Sequence, residues 1–296
     1  MLNLLLVGYG KMGNIHAKSI IESKSAKLYG IVDPNLDEEI GKINNVKIYN
    51  DLGKVQLDKG IDGVVVSSTT HSHYSIAQKI FDYKIPILIE KPLSINLEEV
   101  IYLTKESLKK KIVLQVGFIE IYNPVVNYLK NNEIKNINEV EIFRFSEPVD
   151  ENRNLENVLY DLAIHDLSVF DFLFSLDNTN ILSSETKIHN NRISKAEINF
   201  LSNNISVNLN VSNRATHKKR KWKITTNENL YEIDFLNKNI LIGNKKNDSQ
   251  LIQLEKDISS IDNQLNSFIK KIKNNFIDKE HINNIHKTHE FISLIK

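Results

Sequence analysis

Short apolar runs alternate with stretches of helical periodicity in the first part of the chain. The run from Leu2 to Val7 precedes a helix-compatible stretch from Ile15 to Ser23, and a second run follows from Lys27 to Val32. Strands that alternate with helices predict a doubly wound parallel sheet. The same region is predicted to contain helices over 36–43, 72–82 and 97–110 and strands over 63–67, 87–89 and 112–116.

Beyond Gly117 the apolar positions alternate with a period of two, which is typical of antiparallel strands. Strands are expected over 139–145, 196–200, 205–211, 221–225 and 231–235, and helices over 159–173, 265–275 and 281–295. The predicted fold class is therefore α/β, with an N-terminal doubly wound domain and a C-terminal α+β domain that has a largely antiparallel sheet. We expect the first domain to span 1–117 and to bind a cofactor, and the second to span 118–296 and to serve substrate binding and oligomerisation.

The composition of the chain excludes several kinds of partner and catalytic group. A formal net charge of +1 lacks the basic excess that nucleic-acid binding requires, so no nucleic-acid partner is expected. The chain has no cysteine, which excludes thiolate nucleophiles and disulfides. The opening run lacks a basic leader and continues into glycines, so it indicates a buried strand rather than a signal peptide. No apolar run is long enough to span a membrane, and we expect a cytoplasmic protein.

The first predicted strand leads directly into a glycine motif of the form G-x-G-x-x-G: Gly8, Tyr9, Gly10, Lys11, Met12 and Gly13. In this context Gly8 permits a tight turn, Gly10 lets a pyrophosphate approach the backbone, and Gly13 lets helix and strand pack closely. Asp33 ends the second strand, where a carboxylate accepts hydrogen bonds from both ribose hydroxyls of NAD and repels a 2′-phosphate. The motif predicts a Rossmann domain that prefers NAD to NADP.

Three further segments carry polar side chains where chemistry is expected. The segments from Ser68 to His73 and from Glu90 to Pro92 each follow a predicted strand, at the edge of the sheet that faces the cofactor. Asp161 and His165 have the i, i+4 spacing that puts both on one helix face, so the carboxylate can orient the imidazole. Histidine titrates near neutrality and suits proton transfer.

Together, the glycine turn, the E-K-P motif and the D-x-x-x-H-D helix resemble the Gfo/Idh/MocA family of sugar and polyol dehydrogenases over nearly the whole chain. The resemblance implies that Lys91, Asp161 and His165 surround the reacting carbon and are catalytic. It implies further cofactor contacts from Ser68, Thr69, Thr70, His73, Glu90, Lys91 and Pro92. It implies substrate contacts from Lys91, Tyr122, Asn123, Asp161 and His165.

Within the family, the stretches Gly117 to Pro124 and Leu159 to Asp166 are most similar to those of the UDP-N-acetylglucosamine 3-dehydrogenases and related nucleotide-sugar members. Ile121 stands where their motif G-H-I-E-R-F-N-P has arginine. The resemblance implies oxidation of a sugar ring hydroxyl, with His165 as proton acceptor and Lys91 on the oxygen, or with these two roles exchanged. A free sugar or inositol dehydrogenase and a non-catalytic NAD-binding sensor are the alternatives.

Other polar clusters have less specific interpretations. His71 and His73 lack the carboxylates of a metal site, and we expect no metal. We expect His281, His286 and His289 to mark a solvated helix face. The basic segment 217–223 is interpreted as a solvated strand edge, with nucleic-acid binding or contact with a substrate diphosphate as alternatives. The open face of the second sheet is expected to form a homodimer or homotetramer, as in the family.

Overall fold

A computed structural model describes residues 1–36, 46–148, 156–244, 248–255 and 259–295. The helix expected over 36–43 lies outside these residues except for Leu36. The chain forms two compact units, one of Met1–Gly117 with Ile261–His286 and one of Phe118–Ser260 with Lys287–Lys296. Among the described helices, none has the length and apolar character that a membrane crossing needs.

The first unit is built on a six-stranded parallel sheet. Its strands are β1 (Leu2–Val7), β2 (Ala26–Val32), β3 (Lys47–Tyr49), β4 (Gly63–Val66), β5 (Ile87–Ile89) and β6 (Leu114–Val116). The connecting helices are α1 (Lys11–Glu22), α2 (Thr70–Asp82) and α3 (Leu97–Lys110), and a 3₁₀ turn covers Leu52–Lys54. The strand order β3-β2-β1-β4-β5-β6 reverses between β1 and β4. Parallel sheets of this order bind ligands outside the carboxyl ends of the strands at that reversal.

The second unit is built on an eight-stranded sheet in the order β14-β13-β12-β11-β7-β10-β9-β8. Its strands are β7 (Ile137–Phe145), β8 (Asn180–His189), β9 (Arg192–Ser202), β10 (Ile205–Ser212), β11 (Lys219–Thr226), β12 (Asn229–Asp234), β13 (Asn239–Asn244) and β14 (Ser249–Gln253). A 3₁₀ turn (Ile119–Tyr122) and α4 (Pro124–Asn131) precede β7. A π-helical turn (Leu159–Ala163) and α5 (Ile164–Phe174) lie between β7 and β8. All pairings are antiparallel except that of β7 with β10. The predicted α/β fold class is confirmed.

Pairs of asparagines form two tight hairpins in this sheet. Asn190 and Asn191 have φ angles of 49° and 59°, and Asn203 and Asn204 have φ angles of 48° and 68°. Two-residue hairpins favour turns with positive φ at both positions, and asparagine tolerates that conformation better than most residues. The asparagines at these positions therefore set the register of β8 on β9 and of β9 on β10.

The C-terminal helices are α6 (Ser260–Lys273) and α7 (Lys279–Ser293). Leu265, Phe268 and Ile269 of α6 pack in the apolar core of the first unit with Leu4 and Leu6 of β1. Segment 261–286 thus completes the core of the unit that begins at the N-terminus, whereas the sequence-based domain boundaries assign it to the other domain.

The expectation of a solvated histidine face is wrong for His281 and His289, which are 7% and 1% exposed. Nε2 of His281 accepts a hydrogen bond of 2.9 Å from the backbone N–H of Val116 on β6, a strand at the edge of the sheet. Burial and the positive charge of Lys271 lower the pKa of His281 to about 3. A neutral imidazole therefore caps a backbone group at the sheet edge.

Candidate active site

The glycine turn of the first unit has the geometry of a dinucleotide cradle. Gly8 has a φ of +91°, and a Cβ on it would lie 2.5 Å from the backbone nitrogen of Ser68. A Cβ on Gly13 would lie 2.2 Å from the carbonyl oxygen of Gly8, so the helix packs against the turn at a distance that only glycine allows. A Cβ on Gly10 would have no described heavy atom within 4 Å. Gly8 and Gly13 are thus required by packing, and Gly10 borders open space.

That open space lies at the N-terminus of α1. Gly10 is the N-cap, in an extended conformation, and no acidic residue occurs in the first turn of the helix. The free N–H groups and the helix dipole at such an end favour a phosphate group. The residues present therefore fit the pyrophosphate of a dinucleotide.

Asp33 lies directly after β2, and backbone contacts fix its carboxylate. Oδ2 accepts a hydrogen bond of 2.8 Å from the N–H of Tyr9, and Oδ1 accepts one of 2.9 Å from the N–H of Asn35. A carboxylate has about four acceptor positions. The two that remain can accept hydrogen bonds from the two hydroxyls of a ribose.

The loops that follow β4 and β5 are joined to each other and to the glycine turn. Oγ of Ser67, which the sequence prediction omitted, donates a hydrogen bond of 2.8 Å to the carbonyl of Gly8. The imidazole of His73, on α2, lies 2.9 Å from the carbonyl oxygen of Pro92 and 3.2 Å from that of Ser68. The structure thus brings together the predicted cofactor contacts of this unit, including Thr69 and Thr70 at the start of α2.

In the second unit the predicted catalytic helix is not regular. Asp161 lies in the π-helical turn, and His165 is the second residue of α5. The side chain of Asn157 caps the start of this turn, because its Oδ1 accepts hydrogen bonds from the N–H groups of Leu159 at 2.9 Å and Tyr160 at 3.3 Å. Single π turns inside helices occur frequently at functional sites.

Behind α5 the unit buries a network of charged side chains that sequence reasoning missed. Arg144 on β7 is 1% exposed and forms ion pairs with Asp166 and Glu120. Arg220 donates a hydrogen bond of 2.7 Å to Glu120, and the indole N–H of Trp222 donates one of 2.8 Å to Asp166. The network thus pairs two guanidinium groups with two carboxylates, one of which, Asp166, directly follows His165 in the sequence.

The pKa values in the network follow from its charges. Burial opposes ionisation of Glu120, but the guanidinium groups of Arg144 and Arg220 outweigh this effect and lower its pKa. Burial likewise opposes ionisation of Arg144, and the carboxylates of Asp166 and Glu120 outweigh it and raise its pKa. These groups therefore stay ionised near neutral pH, and each compensates the charge of its neighbours.

Two predicted substrate contacts, Tyr122 and Asn123, lie where the 3₁₀ turn meets α4. Asn123 is buried, and its Oδ1 accepts a hydrogen bond of 3.1 Å from the N–H of Val125 as the helix N-cap. Its amide nitrogen donates to Glu120 at 3.2 Å and to the carbonyl of Phe235 at 3.3 Å. The Asn123 side chain therefore links the start of α4 to the charged network.

The basic segment 217–223 lies largely on β11, which is an interior strand of the sheet. Its interpretation as a strand edge is wrong, because β12 and β7 pair with β11 on its two sides. Lys221 pairs with Asp234 at 3.1 Å, and Lys223 pairs with Glu141 at 3.0 Å. Much of the positive charge in this segment is therefore compensated within the sheet. No cluster of three or more residues suited to hold a metal occurs in the described part of the chain.

The sheet order, the glycine turn and the fixed carboxylate of Asp33 define a dinucleotide-binding Rossmann domain. Residues 2–118 match the GFO_IDH_MocA family model, which is described as an oxidoreductase family with an NAD-binding Rossmann fold. The match bears out the resemblance to the Gfo/Idh/MocA family that the motifs predicted, and NAD is the cofactor that this fold binds.

Curated relatives are similar to this chain at modest identity. A myo-inositol 2-dehydrogenase from Thermotoga maritima is 26% identical over 201 residues, which are 64% of this chain and 60% of that protein. A UDP-N-acetylglucosamine 3-dehydrogenase from Acidithiobacillus ferrooxidans is 22% identical over 240 residues, which are 80% of this chain and 75% of that protein. The chain therefore spans less than two thirds of the length of the inositol dehydrogenase.

Solved structures establish the fold over the whole chain. The structure of the UDP-N-acetylglucosamine 3-dehydrogenase GnnA from Acidithiobacillus ferrooxidans superimposes with a TM-score of 0.89 at 19% sequence identity. The match covers 99% of this chain and 96% of that one. The second unit thus has the fold of its counterpart in that structure, beyond the residues that the family model matches.

Proposed function

We propose that this protein is an NAD-dependent dehydrogenase that oxidises a ring hydroxyl of a sugar. The observation that carries the proposal is the dinucleotide cradle of the first unit. Gly10 borders open space at a helix N-terminus, and the Asp33 carboxylate is fixed by a backbone hydrogen bond where it can accept the hydroxyls of a ribose. The substrate is a UDP-linked N-acetylamino sugar that is oxidised at its 3-position. The relative that acts on UDP-N-acetylglucosamine supports this choice, because its alignment covers 80% of this chain.

The reaction removes a hydride and a proton from one hydroxyl-bearing carbon and leaves a ketone. NAD, when bound, supplies the acceptor for the hydride. His165 accepts the hydroxyl proton, Asp161 orients the imidazole, and the Lys91 amine hydrogen-bonds the oxygen and stabilises its developing negative charge. Tyr122 contacts the sugar, and Asn123 holds the start of α4.

A free sugar or inositol is the second candidate substrate. Ile121 stands where the nucleotide-sugar motif has arginine, so this position offers no cation to a substrate anion. The 26% identity to a myo-inositol 2-dehydrogenase points in the same direction. These observations concern the choice of substrate, and the hydride transfer is the same in both cases.

A substrate panel distinguishes the two candidate substrate classes. The purified protein is incubated with NAD and with UDP-sugars, free sugars and inositols. Formation of reduced nicotinamide is followed by absorbance, and binding of NAD is measured separately by calorimetry. We expect turnover with UDP-N-acetylglucosamine. Turnover with inositols alone would select the second candidate. Binding of NAD without turnover on any substrate would reject the dehydrogenase and favour a cofactor sensor.

We also propose that the open face of the eight-stranded sheet forms the contact in a homodimer or homotetramer. This face carries exposed or half-buried side chains, which include Phe143 and Phe145 of β7. Sedimentation of the purified protein tests the assembly, and a monomer at micromolar concentration would reject it.

A further inference from the structure

Two buried histidines of the first unit hold the segment Glu90-Lys91-Pro92 from both sides. Nε2 of His16 lies 2.7 Å from Oε1 of Glu90, and Nδ1 of His73 lies 2.9 Å from the carbonyl oxygen of Pro92. His16 and His73 are each 1% exposed, and Glu90 is 8% exposed. The proposed catalytic residue Lys91 therefore lies between two anchored neighbours.

The Glu90 carboxylate also contacts the Lys91 backbone directly. Its Oε2 accepts a hydrogen bond of 3.3 Å from the N–H of Lys91. A Cβ on Gly117 would lie 2.9 Å from the same oxygen, so glycine at 117 leaves the space that the carboxylate occupies. The carboxylate thus joins His16 to the peptide group of Lys91. Loss of the His16 imidazole would remove the hydrogen-bond partner of the other carboxylate oxygen, Oε1.

Each histidine belongs to a helix that begins at a loop of the dinucleotide site. His16 lies on α1, which starts directly after the glycine turn. His73 lies on α2, and its Nε2 is 3.2 Å from the carbonyl oxygen of Ser68 in the loop after β4. The two contacts therefore set the position of Lys91 relative to both loops.

We propose that His16 and His73 are positioning residues. They act through Glu90 and Pro92 to fix the position of Lys91 relative to the loops of the dinucleotide site. The inference rests on the proposed function, because it takes Lys91 as the group that acts on the substrate oxygen. The proposed role of both histidines is indirect, through their contacts with Glu90 and Pro92. A displacement of about 1 Å in a reacting group can cost roughly a hundredfold in rate, so this anchoring matters for catalysis.

The test uses His16→Leu and His73→Leu, which remove the imidazole contacts, and His16→Gln and His73→Gln, which keep a side-chain N–H donor. His71→Gln is the matched control, since His71 is an exposed residue on the same helix as His73. For each full-length variant, kcat and KM are measured on the best substrate of the panel, and the NAD Kd is measured by calorimetry. The reactivity of Lys91 toward acetic anhydride is measured by mass spectrometry relative to the exposed Lys18.

We expect the leucine variants to lose roughly tenfold to a hundredfold in kcat with little change in KM. Their Tm should also fall, because each substitution breaks a buried hydrogen-bond contact. The Lys91 to Lys18 labelling ratio changes in the same variants, and the glutamine variants recover part of both effects. Unchanged kcat and labelling ratio would overturn the proposal. So would equal loss of Tm and NAD binding in the leucine and glutamine variants, because that result assigns the histidines to folding alone. If the unmodified protein turns over no substrate, the proposed function fails, whereas the labelling ratio still decides the positioning role.

Discussion

The two units hold their candidate site residues by different physical means. In the first, backbone groups take part in most of the contacts, as in the N–H of Tyr9 on Asp33 and the carbonyl of Pro92 on His73. In the second, the network around Arg144 and Asp166 places ionised side chains behind the helix that carries His165. Backbone contacts of this kind follow from short motifs, whereas a charged network needs residues from distant parts of the chain.

The largest effect is expected from Lys91→Ala and His165→Ala, which remove one proposed catalytic group from each unit. Loss of a group that transfers or stabilises a proton should lower kcat by roughly 10² to 10⁴. The NAD Kd should stay within a few fold, since the glycine turn and Asp33 remain. Lys18→Ala and Lys187→Ala are exposed controls for the two units. A full rate in either catalytic variant would reject the roles proposed for these residues.

Arg144→Met tests how strongly the second unit depends on its buried charges. The substitution leaves Glu120 and Asp166 without their central cation, and breaking a buried ion pair in this way costs about 3–5 kcal/mol. Urea unfolding followed by fluorescence of Trp222, the one tryptophan of the chain, reports on this unit. Arg220→Met should cost less, because the Arg220 side chain is 32% exposed. Equal losses would contradict the central place of Arg144 in the network.

Acid should weaken the two units at different pH. Because the pKa of His281 is lowered from 6.5 to about 3, the unfolded chain binds the extra proton first, and stability falls as pH drops below 6.5. The slope is about 1.4 kcal/mol per pH unit for one group. Glu120 has a pKa below 4.5, so its contribution is lost only under more acidic conditions.

Protection factors, which correct amide exchange for its intrinsic dependence on pH, should therefore fall at Val116 and around His281 between pH 6.5 and pH 4.5 before they fall on β7. His281→Gln should remove this pH dependence, because glutamine does not titrate. A simultaneous fall of the protection factors in both units, or an unchanged pH dependence in the variant, would show that other groups control the acid response.

The smallest effect is expected from Asp33→Ala, which removes the acceptor for the ribose hydroxyls. Hydrogen bonds to a charged group contribute about 1.5–3 kcal/mol, so NAD should bind roughly tenfold or more weakly. NADP affinity should not fall in parallel, because the variant also removes the repulsion of a 2′-phosphate. Calorimetry with both cofactors measures the change, and Asp58→Ala is an exposed control. Tighter binding of NADP than of NAD by the unmodified protein would contradict the interpretation of Asp33.

Local pattern predicted much of the first unit. The predicted bounds of β1, β5 and α3 agree with the structure, because buried parallel strands and an amphipathic helix have clear periodicities. β3 was not predicted, since its three residues Lys47–Tyr49 are exposed or half-buried and too short to establish an alternation. His16 was also missed. Its position three residues after Gly13 gives no local sign that its partner is Glu90.

The second unit was less predictable for physical reasons. β8 is solvent-exposed along much of its length, so its residues have no clean apolar alternation. Arg144 occupies a core-facing position of β7 that the pattern assigns to an apolar residue, and its compensating carboxylates lie elsewhere in the chain. The pairs Asn190-Asn191 and Asn203-Asn204 were a usable turn signal that the overall richness in asparagine obscured.

The most direct test of the central claim is hydride transfer from a labelled sugar. The protein is incubated with NAD and with UDP-N-acetylglucosamine that carries deuterium at carbon 3, and the cofactor is analysed by mass spectrometry. The proposed function predicts reduced nicotinamide that contains the deuterium, together with a 3-keto sugar nucleotide. Reduced cofactor without deuterium would move the reaction to another carbon. No reduced cofactor with this or any other sugar of the panel, although NAD binds, would contradict the account.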